Sequence, residues 1–342
     1  MKIKDFVDLA SNQAVCASKA DDTGVCRVNS GGSLSIKVCS VFYYRGIVSS
    51  TLFDDMCSDI SKFTIFTDVF KLKPWIDQFM REDGEILVPK VTQTNETQIR
   101  CTKELEKLNG FMIQACKIEN QKIDAEDFSI AADPNRDFQA IHIWNNKEVK
   151  FLPENIVECF PRLMLYDVSD CSIKIVNDKY FKALNKLEVL TLQRNEIELI
   201  DGNTFKDLRK LQKLLLEQNK IKTIDPNSFQ SLENLWELRI GYNKIELLDA
   251  NIFDNLKNLR LITLNNNKLT TIPANLFKNN LNLEEIFFRE NKIQTISSIT
   301  FDHLTELRYV DLRNSVCVND HYHQSGFHVM KHVLRTNCTS PV

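Results

Sequence analysis

The sequence predicts an α/β solenoid, a stack of eight coils of 24 residues between residues 138 and 316 with a parallel sheet on its concave side. Three observations carry that reading. Asn195, Asn219, Asn243, Asn267 and Asn291 recur at intervals of 24. A phenylalanine column, Phe181, Phe205, Phe229, Phe253, Phe277 and Phe301, keeps the same interval. Between the columns the chain reads Leu-x-x-Leu-x-Leu-x-x-Asn-x-Ile, as at Leu187, Leu190, Leu192, Asn195 and Ile197, and again at Leu211, Leu214, Leu216, Asn219 and Ile221. A fixed period of this length marks a repeat architecture, in which no coil buries its own apolar face and stacking builds the core.

Each residue type has a place in such a coil. A short strand alternates its side chains, so Leu190 and Leu192 point inward while Thr191 and Gln193 point out of the concave face. The phenylalanines fill the convex half, aromatic on aromatic from coil to coil. Extending the register adds one coil with Ile143 and Asn146, one with Cys171 at the asparagine position and a last one with Leu312 and Ser315. The ends of a solenoid expose apolar surface and need caps. Cys101 and Cys116 flank the segment before the first coil (101–137), and Cys317 and Cys338 the segment after the last (317–342). Closing each loop with a disulfide stabilises it by about 3 kcal/mol. A third bridge, Cys159–Cys171, is the alternative to a free Cys171.

The repeat resembles the typical class of leucine-rich repeats. In that class the buried asparagine amide bonds backbone groups of neighbouring coils, which satisfies a polar group that could not otherwise be buried. The cap layout, with Phe160-Pro-Arg-Leu163 followed by Asp170-Cys-Ser-Ile173, is similar to secreted leucine-rich repeat proteins of insects. The resemblance implies a non-enzymatic module that binds a protein partner on its concave sheet. The expected contact residues are Trp144, Gln193, Glu217, Arg239, Tyr242, Phe287, Arg289, Tyr309 and Arg313, in which aromatic and arginine side chains, the types enriched at binding hot spots, stand together in the later coils.

Composition sets the outer bounds. The 342 residues are 43% hydrophobic and 26% charged with a formal charge of −3, which lacks the basic excess of a nucleic-acid binder. No run of 18 apolar residues occurs, so no membrane-spanning helix is expected. Ten cysteines and two glycosylation sequons, at Asn95 and Asn337, point to a secreted, oxidising setting. The opening Met-Lys-Ile-Lys-Asp-Phe has no signal-peptide character.

Residues 1–80 carry no repeat. Asn29-Ser30-Gly31-Gly32-Ser33-Leu34 resembles the Gly-Asp-Ser-Gly-Gly-Pro-Leu signature of chymotrypsin-like serine proteases. Ala14-Val-Cys-Ala-Ser18, Val25-Cys26, Tyr44-Arg-Gly-Ile-Val-Ser49, Cys57, Phe66-Thr-Asp-Val69 and Lys73-Pro-Trp-Ile76 follow in the family's order. The resemblance implies an all-β piece of a trypsin-like barrel, with a Cys26–Cys57 bridge and with Cys16 and Cys39 lacking their family partners. It does not imply catalysis. Ser30 takes the nucleophile position, but Asn29 replaces the activating Asp and Val28 the oxyanion-hole Gly, Gly24 leaves the specificity pocket uncharged and Ser33 replaces the Pro. The first histidine is His142, so no general base accompanies Ser30 and no enzyme is expected. The expected origin of the segment is an internal methionine of a truncated gene, or a fusion of neighbouring genes. The alternative is a serine protease homologue, a non-catalytic cofactor of an immune or clotting cascade, targeted by its leucine-rich repeats.

Residues 81–100 read as a polar linker. In the tail, His328 and His332 stand at i and i+4, a spacing that suits zinc. No carboxylate or free thiol completes a site, so neither metal nor cofactor is expected, and Phe327, Met330, Val333 and Leu334 form the buried stripe of a cap helix.

Overall fold

A computed structural model describes residues 14–17, 33–38, 41–51, 64–68, 98–100, 102–118, 129–131, 138–153 and 156–338. The chain falls into two units, Met1–Asn95 and Glu96–Val342.

The first unit holds four strands, β1 (Ala14–Ala17), β2 (Ser33–Val38), β3 (Val41–Thr51) and β4 (Thr64–Asp68), in an antiparallel sheet of order β1-β4-β3-β2. Ser30, Asn29, Val28, Cys26 and Cys57 lie outside the described residues, as does Asn95.

The second unit opens with β5 (Gln98–Arg100), then a hairpin of β6 (Thr102–Leu108) and β7 (Phe111–Ile118), and β8 (Ser129–Ala131), which pairs with β5. The hairpin turns on Asn109 and Gly110, at φ 48° and 92°. Two consecutive positive φ values are what a two-residue hairpin loop requires. The solenoid follows with one short strand per coil: β9 (Ala140–Ile143), β10 (Leu165–Asp167) and β11 (Val189–Thr191). A two-residue strand, β12 (Leu199–Ile200), precedes β13 (Lys213–Leu215), and β14 (Thr223–Ile224) pairs with it outside the main sheet before β15 (Glu237–Arg239) and β16 (Leu261–Thr263). A second such pair, β17 (Thr271–Ile272) and β19 (Thr295–Ile296), brackets β18 (Glu285–Phe287); β20 (Tyr309–Asp311) and β21 (His321–His323) complete the set.

The main sheet has eleven strands in the order β6-β7-β9-β10-β11-β13-β15-β16-β18-β20-β21. From β7 to β20 every pairing is parallel; β6 and β21 attach antiparallel at the two ends. Eight coil strands therefore delimit seven full coils, and the eighth coil is interrupted by the cap. Partners in the register differ by 24 from β10 onward, as Leu165 with Val189 and Glu285 with Tyr309.

The core follows the expected columns. Leu190, Leu214, Leu238, Ile262 and Ile286 are all fully buried. Phe205 stacks on Phe229 with centroids 6.4 Å apart, Phe229 on Phe253 at 6.2 Å and Phe253 on Phe277 at 6.0 Å. The asparagine ladder closes both ways. Asn219 donates Nδ2 to the Leu192 carbonyl at 2.8 Å and to that of Leu216 at 3.0 Å, and its Oδ1 accepts the Ile197 N–H at 3.1 Å. Asn195, Asn243 and Asn267 repeat the pattern.

Cys171 is a buried free thiol, and Cys159 is disulfide-bonded elsewhere, so the alternative bridge Cys159–Cys171 does not form. The physical reason lies in the ladder: Cys171 Sγ points to the carbonyls of Ile143 and Ser169, each at 3.4 Å, as an asparagine amide would. Burial pushes that thiol up to about 11. Cys116 is disulfide-bonded and Cys101 lies outside the described residues. Cys317 and Cys338 are joined, tying the end of the last coil to a helix, α1 (Phe327–Asn337), which buries Met330 and Leu334. His328, His332 and Asn337 are exposed. No helix among the described residues is long and apolar enough to cross a membrane.

Candidate functional site

In each coil three side chains stand on the open face of the sheet, at the first and third strand residues and two further on. In the seventh coil these are Glu285, Phe287 and Arg289; in the fifth, Glu237 and Arg239, with Gly241 at the third position leaving it bare. The next residue turns away from the strand in the left-handed region, and it does so in every coil: Asn145, Asp170, Arg194, Gln218, Tyr242, Asn266, Glu290 and Asn314 have φ between 52° and 58°. Tyr242, expected on the strand face, is therefore a shoulder residue, 50% exposed.

A hollow of about 510 Å³ opens on the face of the fourth to eighth coils. Glu217, Arg239, Tyr242, Phe287, Arg289 and Arg313 line it together with Thr263, Asn265 and Asp311. Beneath it Gly241 lets Asn265 pack closely: a Cβ at Gly241 would meet Asn265 Oδ1 at 2.7 Å. Glu217 is held at one wall, accepting from Gln193 Nε2 at 2.8 Å and from Thr263 Oγ1 at 3.0 Å two coils away. Gln193 thus supports the hollow without lining it.

Two of the expected arginines are already engaged. Arg239 and Lys213 hold the carboxylate of Glu237, which is 5% exposed; Lys213 Nζ is 3.0 Å away. Burial alone would raise this carboxyl, but the bonds from Lys213 and Arg239 outweigh it and keep it below the usual carboxylate range. Asp311, 2% exposed, is held down in the same way by Arg313. Arg289 meets the half-buried Glu290 at 3.5 Å, lies near enough to Asp311 to help hold that carboxyl down, and lines the hollow.

Tyr309 adjoins the hollow through Phe287, ring centroids 5.3 Å apart, and on its other side meets His323 at 5.0 Å and His321 at 5.9 Å. Those two histidines come from β21, whose pairing with β20 the repeat pattern does not announce. Trp144 belongs elsewhere. It packs on His142, centroids 4.5 Å apart, and lies under Lys117 Nζ at 5.1 Å. His142 in turn meets Glu106 at 2.8 Å and Asp167 at 3.5 Å, forming a charged cluster against the N-terminal hairpin. Glu237 and Asp311, the buried acids that position the arginines, lie outside the expected contact set; their signal is an acid two residues before an arginine on one strand face.

No curated protein matches the chain. A chain in the solved "Structure of the Toll - Spatzle complex, a molecular hub in Drosophila development and innate immunity" is similar at 18% identity and a TM-score of 0.44. The match covers 52% of this chain and 27% of that one, so this chain spans about a quarter of that chain's length. The family described as "Leucine rich repeat" matches residues 161–221, 209–269 and 257–315. With the 24-residue coils and the parallel sheet, those matches make the solenoid a leucine-rich repeat solenoid.

Proposed function

We propose that the chain is a secreted, non-enzymatic recognition protein that binds a protein partner on the concave sheet, in the hollow between Glu217 and Arg313. The observation that supports this most is the gathering of Tyr242, Phe287 and Arg289 around one depression. Aromatic and arginine side chains at the centre of a concavity are the usual anchors of protein interfaces. A coil-built solenoid fits that role, because its sheet is an extended surface on which side chains of successive coils stand side by side. Cys317–Cys338 suits an oxidising compartment, where such bridges persist. The alternative, a serine protease homologue, rests on the motifs of residues 1–80 alone.

The test is retrieval of a partner from extracellular fluid by the immobilised full chain, repeated with Tyr242→Ala/Arg289→Ala. The variant is expected to lose a retained protein by tenfold or more, about 1.4 kcal/mol. Identical retention by both would remove the hollow from the recognition surface.

A further inference from the structure

Of the chain's six histidines, two are committed within the fold. His142 lies between Glu106 and Asp167, and His303 Nε2 meets the Phe277 carbonyl at 2.9 Å. The other four form two exposed pairs, His321 with His323 on β21 and His328 with His332 on α1. Strand alternation puts His321 and His323 on one face of β21, with Tyr322 between them turned inward and 5% exposed. The pairing with β20 sets that face: His323 lies opposite Tyr309 and His321 opposite Asp311, so both rings stand on the open side of the sheet. Their centroids are 5.9 Å apart, and Tyr309 packs against both. Two imidazoles sharing one ion, about 2.1 Å from each nitrogen, have centroids roughly 4.5 to 6.4 Å apart, according to the angle at the metal. The observed spacing falls inside that range.

The carboxylate that the helix pair lacks stands beside the strand pair instead. Asp320 Oδ1 accepts the His321 main-chain N–H at 2.8 Å and lies 3.6 Å from His321 Nδ1. A carboxylate at one ring nitrogen is the usual support of a metal-bound histidine, because it favours the tautomer whose other nitrogen, here Nε2, is the donor. Arg313, on the same face, is neutralised by Asp311. Among the described residues no three His, Cys, Asp or Glu side chains are grouped to hold an ion, so the protein offers two ligands and leaves the other positions to water. Two imidazoles with water suit copper(II) best among the divalent first-row metals: it heads their order of affinity and takes a tetragonal set of nitrogen and oxygen ligands.

We propose that His321 and His323 chelate one copper(II) ion on the open face of β21, with Asp320 as the positioning residue behind His321. The site needs no protein partner and stands apart from the recognition hollow. The experiment is isothermal titration of the full chain with copper(II) sulfate, joined to electron paramagnetic resonance of the copper-loaded chain. One copper per chain should bind in the tightest class, its spectrum should show two imidazole nitrogens, and zinc(II) should bind more weakly. His321→Gln and His323→Gln should each weaken that class tenfold or more, whereas the double variant His328→Gln/His332→Gln should leave it unchanged. Asp320→Asn keeps an acceptor for the His321 N–H but removes the charge, and should weaken copper about tenfold without moving the melting temperature of the metal-free chain. No copper bound by the unaltered chain, or fewer than two imidazoles in its spectrum, would overturn the proposal without any variant having to fold. So would a tightest class that survives His321→Gln and His323→Gln or disappears with the helix pair. Unchanged affinity in Asp320→Asn would strike the positioning role.

Discussion

Arg313 grips Asp311 from the side and from the main chain: Nε reaches Oδ1 at 2.9 Å, Nη2 reaches Oδ2 at 2.6 Å, and the Arg313 N–H adds a bond to Oδ1 at 3.1 Å. The carboxylate so held lies below its ordinary range despite its burial. A carboxyl depressed in the fold contributes stability above its unfolded value, about 3.9, and that contribution is lost as pH falls through the lower folded value. Asp311→Asn is therefore expected to flatten the acid limb of the melting temperature below about pH 4. Arg313→Ala should lower the melting temperature at pH 7 more than Asp311→Asn does, because it strands a buried charge. Calorimetry across pH checks both; an acid limb unchanged in Asp311→Asn would sink the account.

Arg239 and Tyr242 line the same hollow but should behave differently. Arg239 holds the buried Glu237, so Arg239→Ala is expected to cost about 1 kcal/mol or more in stability whatever it does to binding. Tyr242 packs against little and is half exposed, so Tyr242→Ala should stay within about 0.5 kcal/mol of the parent in unfolding while weakening partner retention. Chemical denaturation separates the two. A large stability loss in Tyr242→Ala would show that the shoulder is structural.

Asn280 occupies a place that Leu208, Leu232, Leu256 and Leu304 fill in other coils. It is fully buried, donates to the carbonyls of Phe253 and Leu256 at 2.9 Å each, and leaves its Oδ1 without a partner. Both carbonyls also accept backbone N–H groups, from Leu256 and Leu259, so they would stay satisfied without it. Asn280→Leu is expected to raise stability by about 1 kcal/mol, some 2–4 °C in melting temperature. A fall in melting temperature would mean that the two amide bonds outweigh the orphaned oxygen.

His142 titrates between Glu106 and Asp167. Burial favours its neutral form, but the Asp167 and Glu106 carboxylates outweigh that and raise its pKa above 6.5. A raised histidine contributes stability fully below its unfolded pKa, and the contribution fades as pH rises through the folded value. The unaltered chain should therefore lose stability on passing upward from about pH 6.5, and His142→Gln should lose less over that range. Parallel slopes in melting temperature against pH would show that another group carries the effect.

The solenoid is legible in the sequence because every coil uses the same residue types at the same offsets: Asn195 to Asn291 and Phe181 to Phe301 fix the period, and the period fixes which leucines are inside. The hollow is legible less well. Arg239 and Arg313 lie on the open face, yet each is held by an acid two residues before it, Glu237 or Asp311, a spacing present in the sequence but not singled out by a repeat built on the buried columns. Trp144 is four coils from Arg239, a distance that a column of outward positions conceals. The Asn109-Gly110 hairpin had a readable signal in its dipeptide. The joining of β21 to the sheet had none, since His321-Tyr-His323 breaks the repeat that would have announced it.

The row of left-handed shoulder residues has one further consequence. A non-glycine residue held there costs about 1–2 kcal/mol in backbone terms, yet none of the chain's nine glycines occupies it. Eight side chains of six kinds, from Asp170 and Arg194 to Tyr242 and Glu290, are instead displayed in file along one rim, one per coil. That rim is where the solenoid can change what it shows to its surroundings while leaving how it stands untouched.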